Sequence, residues 1–486
     1  MNSPIRRVAA GCMLLCVALL ANITYVQAFQ ADDLNERSDN RRVLLDEYAR
    51  QRGPILVGDT PVARSVPTDG ELGYLRQYAN GPLYAPVTGY YSFVFGRTAV
   101  ERAQNPILSG DDDRLFVRRL VDLVTNRQPQ GGAVQLTINA AAQEAAYDAL
   151  GDNTGAVVAL DPRTGAILAM VSKPSYDPNP LASHSVEEQQ AAHDALVADP
   201  AKPDRNRAIA QTLPPGSSFK IVTLAAALDS GRYEPDSVVP APAEYDLPQS
   251  TVNLPNQSGR PCGPNDQTDL VNALRISCNT AFAFLGNDLG DDALREQAER
   301  FGFNSTPLTA DDLNAAESVF PLDPDPPQTA LSAIGQFDVR ATPLQMAMVS
   351  AAIANDGDLM DPYLVQEVRA PDLELLDQTE PRVLSWAVST ETAQEITDMM
   401  VNVVDRGTGE NAQIDGVQVA GKTGTAESAP ERPPYAWFTS FAPADDPQVA
   451  VAVVIEDAPD TEATDIAGGR LAAPVARAVM QAVLGS

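Results

Sequence analysis

Strand-forming segments gather at the two ends of residues 131–486, with a long helical and loop-rich stretch between them. The first block, TGAVVALDPRTGAILAMVS, reads as a β-hairpin. Ala156–Leu160 and Ala166–Val171 flank the turn Asp161-Pro162-Arg163-Thr164-Gly165, which is rich in turn formers. The last block supplies three more strands, GVQVAGKTGTA, AWFTSFAPA and QVAVAVVIED, and then LAAPVARAVMQAVL, a helix with an apolar stripe. Two strands first, three last and helices between predict an α+β domain. Its centre is one five-stranded antiparallel sheet, assembled from both ends of the segment and flanked by helices.

Ahead of this domain the chain divides in two. Arg6 and Arg7 precede an apolar run from Val8 to Phe29, and a bilayer is crossed by about 20 such residues. Residues 1–30 therefore read as a cytoplasmic tip and transmembrane anchor, which puts the rest of the chain outside the cytoplasm. A cleaved signal peptide, with Val26 and Ala28 before the cut, is the competing reading, and the length of the apolar run favours the anchor. Residues 31–130 read as a small mixed domain without an evident chemical site. NRRVLLDEYARQ has helical spacing at Val43, Leu44 and Tyr48, RGPILVGD reads as a turn and a short strand, and GYYSFVFG is β-like. RQPQGGAVQ, residues 127–135, reads as a flexible joint.

Composition removes whole classes of function. A formal net charge of −31 leaves nothing to neutralise a run of phosphates, so nucleic acid is excluded as a partner. The two histidines, His184 and His193, lie in a polar helix-like stretch, which argues against a histidine-based triad or metal site; no metal and no cofactor is expected. Of 34 basic residues only four are lysines: Lys173, Lys202, Lys220 and Lys422. Arginine stays protonated, whereas a lysine can be tuned to give up its proton. Cys12 and Cys16 belong to the anchor. Cys262 and Cys278 fall in the oxidising exterior, as a structural disulfide or as two buried thiols.

Three short motifs carry chemistry. Ser217-Ser218-Phe219-Lys220 opens an apolar helical run and places a hydroxyl and an amine on one face, where the lysine can serve the serine as base. The exposed N–H groups of a first helical turn also favour developing negative charge. Ser277-Cys278-Asn279 puts a hydroxyl and an amide two residues apart, which requires a loop or a helix start. Lys422-Thr423-Gly424-Thr425 lies in a strand, with Lys422 and Gly424 on one side and Thr423 and Thr425 on the other. Alone, each has an ordinary structural explanation: a capping serine beside a surface lysine, a helix N-cap, a polar edge strand.

Together and in this order, SxxK, SxN and KTGT resemble the serine-acylating penicillin-recognising enzymes. RGPI at Arg52–Ile55, LTIN at Leu136–Asn139, the 154–170 hairpin, IGQFDVRATPLQMA at 334–347 and AWFTSFAP extend the resemblance to class B penicillin-binding proteins over essentially the whole chain. That resemblance implies a D,D-transpeptidase of cell-wall synthesis with an N-terminal pedestal or dimerisation-like domain. Ser217 would be the nucleophile, Lys220 its base, Ser277 the proton shuttle and Asn279 a holder of Lys220 and substrate. Lys422 would supply positive potential, and Thr423, Gly424 and Thr425 the substrate-binding strand. It also implies peptidoglycan stem peptides ending in D-Ala-D-Ala and β-lactams as ligands, with a membrane glycan polymerase and division or elongation proteins as partners. A Cys262–Cys278 disulfide would pin the loop that bears Ser277 and Asn279. The chain departs from the family's frequent GQG at Gly335-Gln336-Phe337, and from a frequent His at Tyr435. A β-lactamase is disfavoured because no suitably placed Glu and Asn would activate water. A D,D-carboxypeptidase, or a non-catalytic scaffold or β-lactam sensor, remains as an alternative.

Overall fold

A computed structural model describes residues 2–30, 48–70, 72–115, 130–308, 311, 313–427, 432–459, 461–462 and 466–485. Strands β1 (Ile55–Val57), β2 (Thr60–Pro67), β3 (Tyr74–Tyr78), β4 (Ala133–Leu136), β5 (Thr154–Leu160) and β6 (Ile167–Lys173) precede the helical middle. Strands β7 (Val365–Arg369) and β8 (Leu375–Gln378) lie near its end. Strands β9 (Ala420–Ala426), β10 (Tyr435–Ala442) and β11 (Val449–Asp457) close the chain. The helices used below are α1 (Asn2–Phe29), α2 (Ala140–Leu150), α3 (Lys220–Asp229), α4 (Leu270–Arg275), α5 (Asn279–Leu289), α6 (Pro343–Ala354), α7 (Thr390–Arg406) and α8 (Ala473–Leu484).

The central sheet has the order β9-β10-β11-β5-β6, antiparallel throughout. Both ends of the domain thus meet in one sheet, at the β11–β5 pair, where Val453 stands opposite Val157. Every residue of β10 is buried, as is all of β11 except its last. A strand buried on both faces needs cover on both. Helices α2 and α8 pack over one face. Helix α6, apolar almost all round and buried from Pro343 to Ile353, lies against β5, β10 and β11 on the other. Thr342 caps α6 by accepting from Gln345 N at 3.1 Å, and Pro343 takes the first position, where its missing N–H costs nothing.

A second sheet, β8-β7-β4-β1-β2-β3, joins the N-terminal unit to the rest. β1 and β4 run parallel, and β7 pairs antiparallel with β4. The flexible joint expected at 127–135 is corrected here from residue 130 onward; residues 127–129 lie outside the described residues. Gly131 and Gly132 are buried, and β4 follows at once. A Cβ on Gly131 would stand 1.8 Å from Leu108 O, so these glycines serve close packing of backbones rather than freedom. The helix expected over 40–51 lies, up to residue 47, outside the described residues; Tyr48 is buried and stacks on Tyr91.

Arg52, Arg76 and Glu101 form a buried ion cluster in the N-terminal unit. Arg52 Nε and Arg76 Nε reach the two oxygens of Glu101 at 2.6 and 2.7 Å, and Tyr78 OH donates to the same carboxylate at 3.1 Å. Burial alone would raise the pKa of Glu101; Arg76 and Arg52 outweigh it and hold the carboxyl below its usual value. Ahead of this unit in the chain, α1 carries an apolar span, Ile5–Gln27, none of it buried in the fold. At about 1.5 Å per residue it is long and apolar enough to cross a bilayer core of about 30 Å.

Candidate active site

Ser217 stands in a 3-10 turn, Gly216–Phe219, that runs directly into α3. That helix is buried along Lys220–Leu228, so the turn rests on a rigid post. Three glycines let other backbones approach it. Gly216, at φ +54°, has no room for a Cβ, which would lie 2.6 Å from Thr425 O. A Cβ on Gly424 would lie 2.8 Å from Pro215 O and 3.1 Å from Ser218 N. Gly335 O accepts from Gly216 N at 2.9 Å on the opposite side. Strand β9 is thereby brought against the turn that bears the serine.

The second motif joins two helices. α4 ends before Ile276, Ser277 takes a left-handed conformation at φ 61°, and Asn279 opens α5. Lys220 Nζ donates to Ser277 O at 2.8 Å and to Asn279 Oδ1 at 2.7 Å, with Ser277 Oγ at 3.4 Å. Lys422 Nζ donates to the same hydroxyl at 2.9 Å and to Thr423 O at 2.7 Å. One hydroxyl therefore stands between two amines, and both lysines are fully buried. Burial pushes Lys220 well below the ordinary lysine range, and neighbouring Lys422 pushes it further; burial brings Lys422 down to about 7. A neutral Lys220 has a lone pair to accept a proton.

A cleft of about 810 Å³ opens in front of this network, lined by Ser217, Ser277, Asn279, Thr423 and Thr425. Lys220, Lys422 and Gly424 stand behind its wall. The hydrogen bonds of Lys220 go to Ser277 and Asn279 rather than to Ser217, against the simple expectation from the i, i+3 spacing. A buried amine takes the strong carbonyl acceptors it can reach, and apo sites commonly close the nucleophile contact only with substrate bound. Cys262 and Cys278 are joined in a disulfide beside Ser277 and Asn279. Of the histidines, His184 Nε2 lies 3.0 Å from Tyr74 O and His193 stacks on Phe95; neither lines the cleft.

Residues outside the three motifs also shape the site. Thr408 Oγ1 lies 2.6 Å from Thr423 Oγ1, and both line the cleft. Asn256 is buried and bonded to the start of α5. Phe337, at φ +58°, lines the cleft together with Leu254, Leu331 and Ile334. Of these, Phe337 and Ile334 had a signal in the sequence, Phe337 as the departure from GQG and Ile334 as the start of IGQFDVRATPLQMA. Thr408 and Asn256 sit in polar turns whose partners are remote in the chain.

A serine at a helix start, two buried lysines and a glycine-bearing strand define a serine-acylating site of the penicillin-recognising class. The chain belongs to the penicillin-binding protein transpeptidase family: that transpeptidase domain matches residues 155–481. The penicillin-binding protein A dimerisation domain matches residues 52–134. Over its full length the chain is 49% identical to the peptidoglycan D,D-transpeptidase PbpA of Mycolicibacterium smegmatis, covering 99% of that protein. It is 48% identical to PbpA of Mycobacterium tuberculosis, with the same coverage. Its fold matches penicillin-binding protein A of M. tuberculosis in a ceftriaxone acyl-enzyme complex at a TM-score of 0.87 and 47% identity, over 90% of this chain and all of the other. The imipenem acyl-enzyme complex of that protein matches at 0.86, with the same identity and coverage.

Proposed function

We propose that this chain is a peptidoglycan D,D-transpeptidase, a target of β-lactams, working through an acyl-Ser217 intermediate. The observation that carries the reading is the pair of buried lysines sharing the Ser277 hydroxyl in the cleft that Ser217 lines. Ser217 Oγ attacks the carbonyl between the two terminal D-alanines of a stem peptide, and its proton passes to the neutral amine of Lys220. The oxyanion that forms is met by the N–H groups of Ser217 and Thr425. On collapse the carbon–nitrogen bond breaks, Ser277 relays the proton that Lys220 took up to the leaving amine, and one D-alanine departs. The ester left on Ser217 is then attacked by an amine of a neighbouring stem, which closes the cross-link and frees the serine. Thr423 and Thr425 grip the substrate carboxylate, Lys422 supplies positive potential, and Asn279 holds Lys220 and the substrate amide. A β-lactam enters as a mimic of the acyl donor; its leaving group stays tethered, so the acceptor cannot follow.

Placed outside the membrane on its N-terminal anchor, the enzyme would act beside a membrane glycan polymerase and the division or elongation proteins that the N-terminal unit docks. A synthetic stem peptide ending in D-Ala-D-Ala, incubated with and without an amine acceptor, tests the reaction. The expected product is the acceptor-linked peptide with release of one D-alanine. Hydrolysed peptide alone would make the chain a D,D-carboxypeptidase, and no D-alanine release would leave a non-catalytic scaffold or sensor.

A further inference from the structure

Asn256 lies outside the three motifs, directly after the short strand Asn253–Pro255. Its side chain is 5% exposed, and its amide bonds on both sides. Oδ1 accepts from Asn279 N at 3.0 Å and from Thr280 N at 3.1 Å. Nδ2 donates to Pro242 O at 2.8 Å and to Arg260 O at 2.9 Å. The first N–H groups of a helix have no partner within it, and a side chain at the capping position usually serves them. Here that position is Cys278, which makes no such bond and whose sulfur is committed to Cys262. Asn256 caps α5 from a separate segment instead.

The loop between α4 and α5 is short, so its two ends decide where Ser277 and Asn279 stand. Upstream, Ser277 N donates to Leu274 O at 3.1 Å and Cys278 N to Ala273 O at 2.8 Å, closing α4. Between them Ser277 keeps a left-handed conformation that a non-glycine residue holds only when its surroundings over-determine it. Downstream the support is Asn256. Its neighbour Pro255 contributes too: Pro255 O accepts from Asn279 Nδ2 at 3.1 Å, which leaves Asn279 Oδ1 turned toward Lys220.

We propose that Asn256 is a positioning residue for acylation: by capping α5 from outside, it sets where Ser277 and Asn279 stand relative to Lys220. The inference rests on the reading of Ser217 and Lys220 as the acylating pair. Stopped-flow acylation by a fluorescent penicillin, with full-length protein in detergent, tests it through the affinity of the initial complex and the first-order acylation rate. Thermal unfolding is followed in parallel. Asn256→Ala is expected to slow the acylation step by about 10- to 100-fold, the scale on which small misplacements act, while the initial complex weakens less than about threefold. Asn256→Asp keeps both acceptor contacts but sets its second oxygen against Pro242 O and Arg260 O, so it is expected to recover part of the rate. Equal losses in the two variants would overturn the proposal. So would a wild-type rate in Asn256→Ala, or a loss that follows the unfolded fraction or the weakening of the initial complex. Ser217→Ala is the separate control: if it is still labelled, the acylation reading itself fails, whatever Asn256 does.

Discussion

Lys220 and Lys422 both hold their protons less tightly than an ordinary lysine, which makes the site sensitive to pH. Burial and the nearby ammonium hold Lys220 well below the ordinary lysine value, and burial brings Lys422 down to about 7. In the proposed mechanism acylation needs Lys220 neutral and Lys422 charged, so kcat/KM should fall as Lys422 gives up its proton, with the alkaline limb near about 7. In Lys422→Arg the guanidinium stays charged, and the alkaline limb should move well upward. An unmoved limb in that variant would assign it to another group. The linkage to stability has the same sense as for any group whose folded-state pKa is lowered. Between about 7 and the ordinary lysine value of about 10.4 the unfolded chain holds a proton that the folded one has shed at Lys422. The site's contribution to stability therefore increases with pH across that window.

Gly424 shows the other constraint at this scale. Its added Cβ would meet Pro215 O, Ser218 N and the Trp437 side chain all within 3.1 Å, and two of these are backbone. Gly424→Ala should lower stability by about 1–3 kcal/mol in urea unfolding. It should also slow penicillin acylation by about 100-fold as β9 is pushed off the serine turn; an unchanged rate would show that the contact is not needed. The residues of the three motifs were legible because each cluster is spelled out over three or four consecutive positions. Asn256 was not: its partners Asn279 and Thr280 lie 23 and 24 positions away, and nothing local marks it.

Among the elements, the central sheet was readable because its five strands are apolar runs bounded by turn residues, and the helix after them has a clean stripe. β7 and β8 were not read as strands. Their sequences, VQEVR and LLDQ, are short and partly or mostly exposed, with no apolar run to mark them. The paired glycines at 131–132 misled in the opposite direction, since a glycine that loosens a linker and one that admits a carbonyl at contact distance are the same letter. The N-terminal unit also carries its charge inside. Removing Glu101 leaves Arg52 and Arg76 buried without their carboxylate, which typically costs about 3–5 kcal/mol. Glu101→Ala should shift the denaturant midpoint by a corresponding amount, and a change under about 1 kcal/mol would mean that water or rearrangement replaces the carboxylate.

On the scale of the molecule, the two sheets divide the labour. The mixed sheet ties the N-terminal unit to the catalytic domain through β1 and β4, so residues 55–57 are joined to that domain by strand hydrogen bonds. The antiparallel sheet holds β9 where the serine turn can meet it. Among the described residues one helix is long and apolar enough to cross a membrane, which fits a single-pass anchor, and the rest of a chain of −31 net charge suits a solvated body. The most direct test is mass spectrometry of the protein after exposure to a penicillin, followed by peptide mapping of the adduct. One stoichiometric adduct, on the peptide that contains Ser217 and absent from Ser217→Ala, is the predicted result. An adduct on any other residue, or one that survives in Ser217→Ala, would contradict the account.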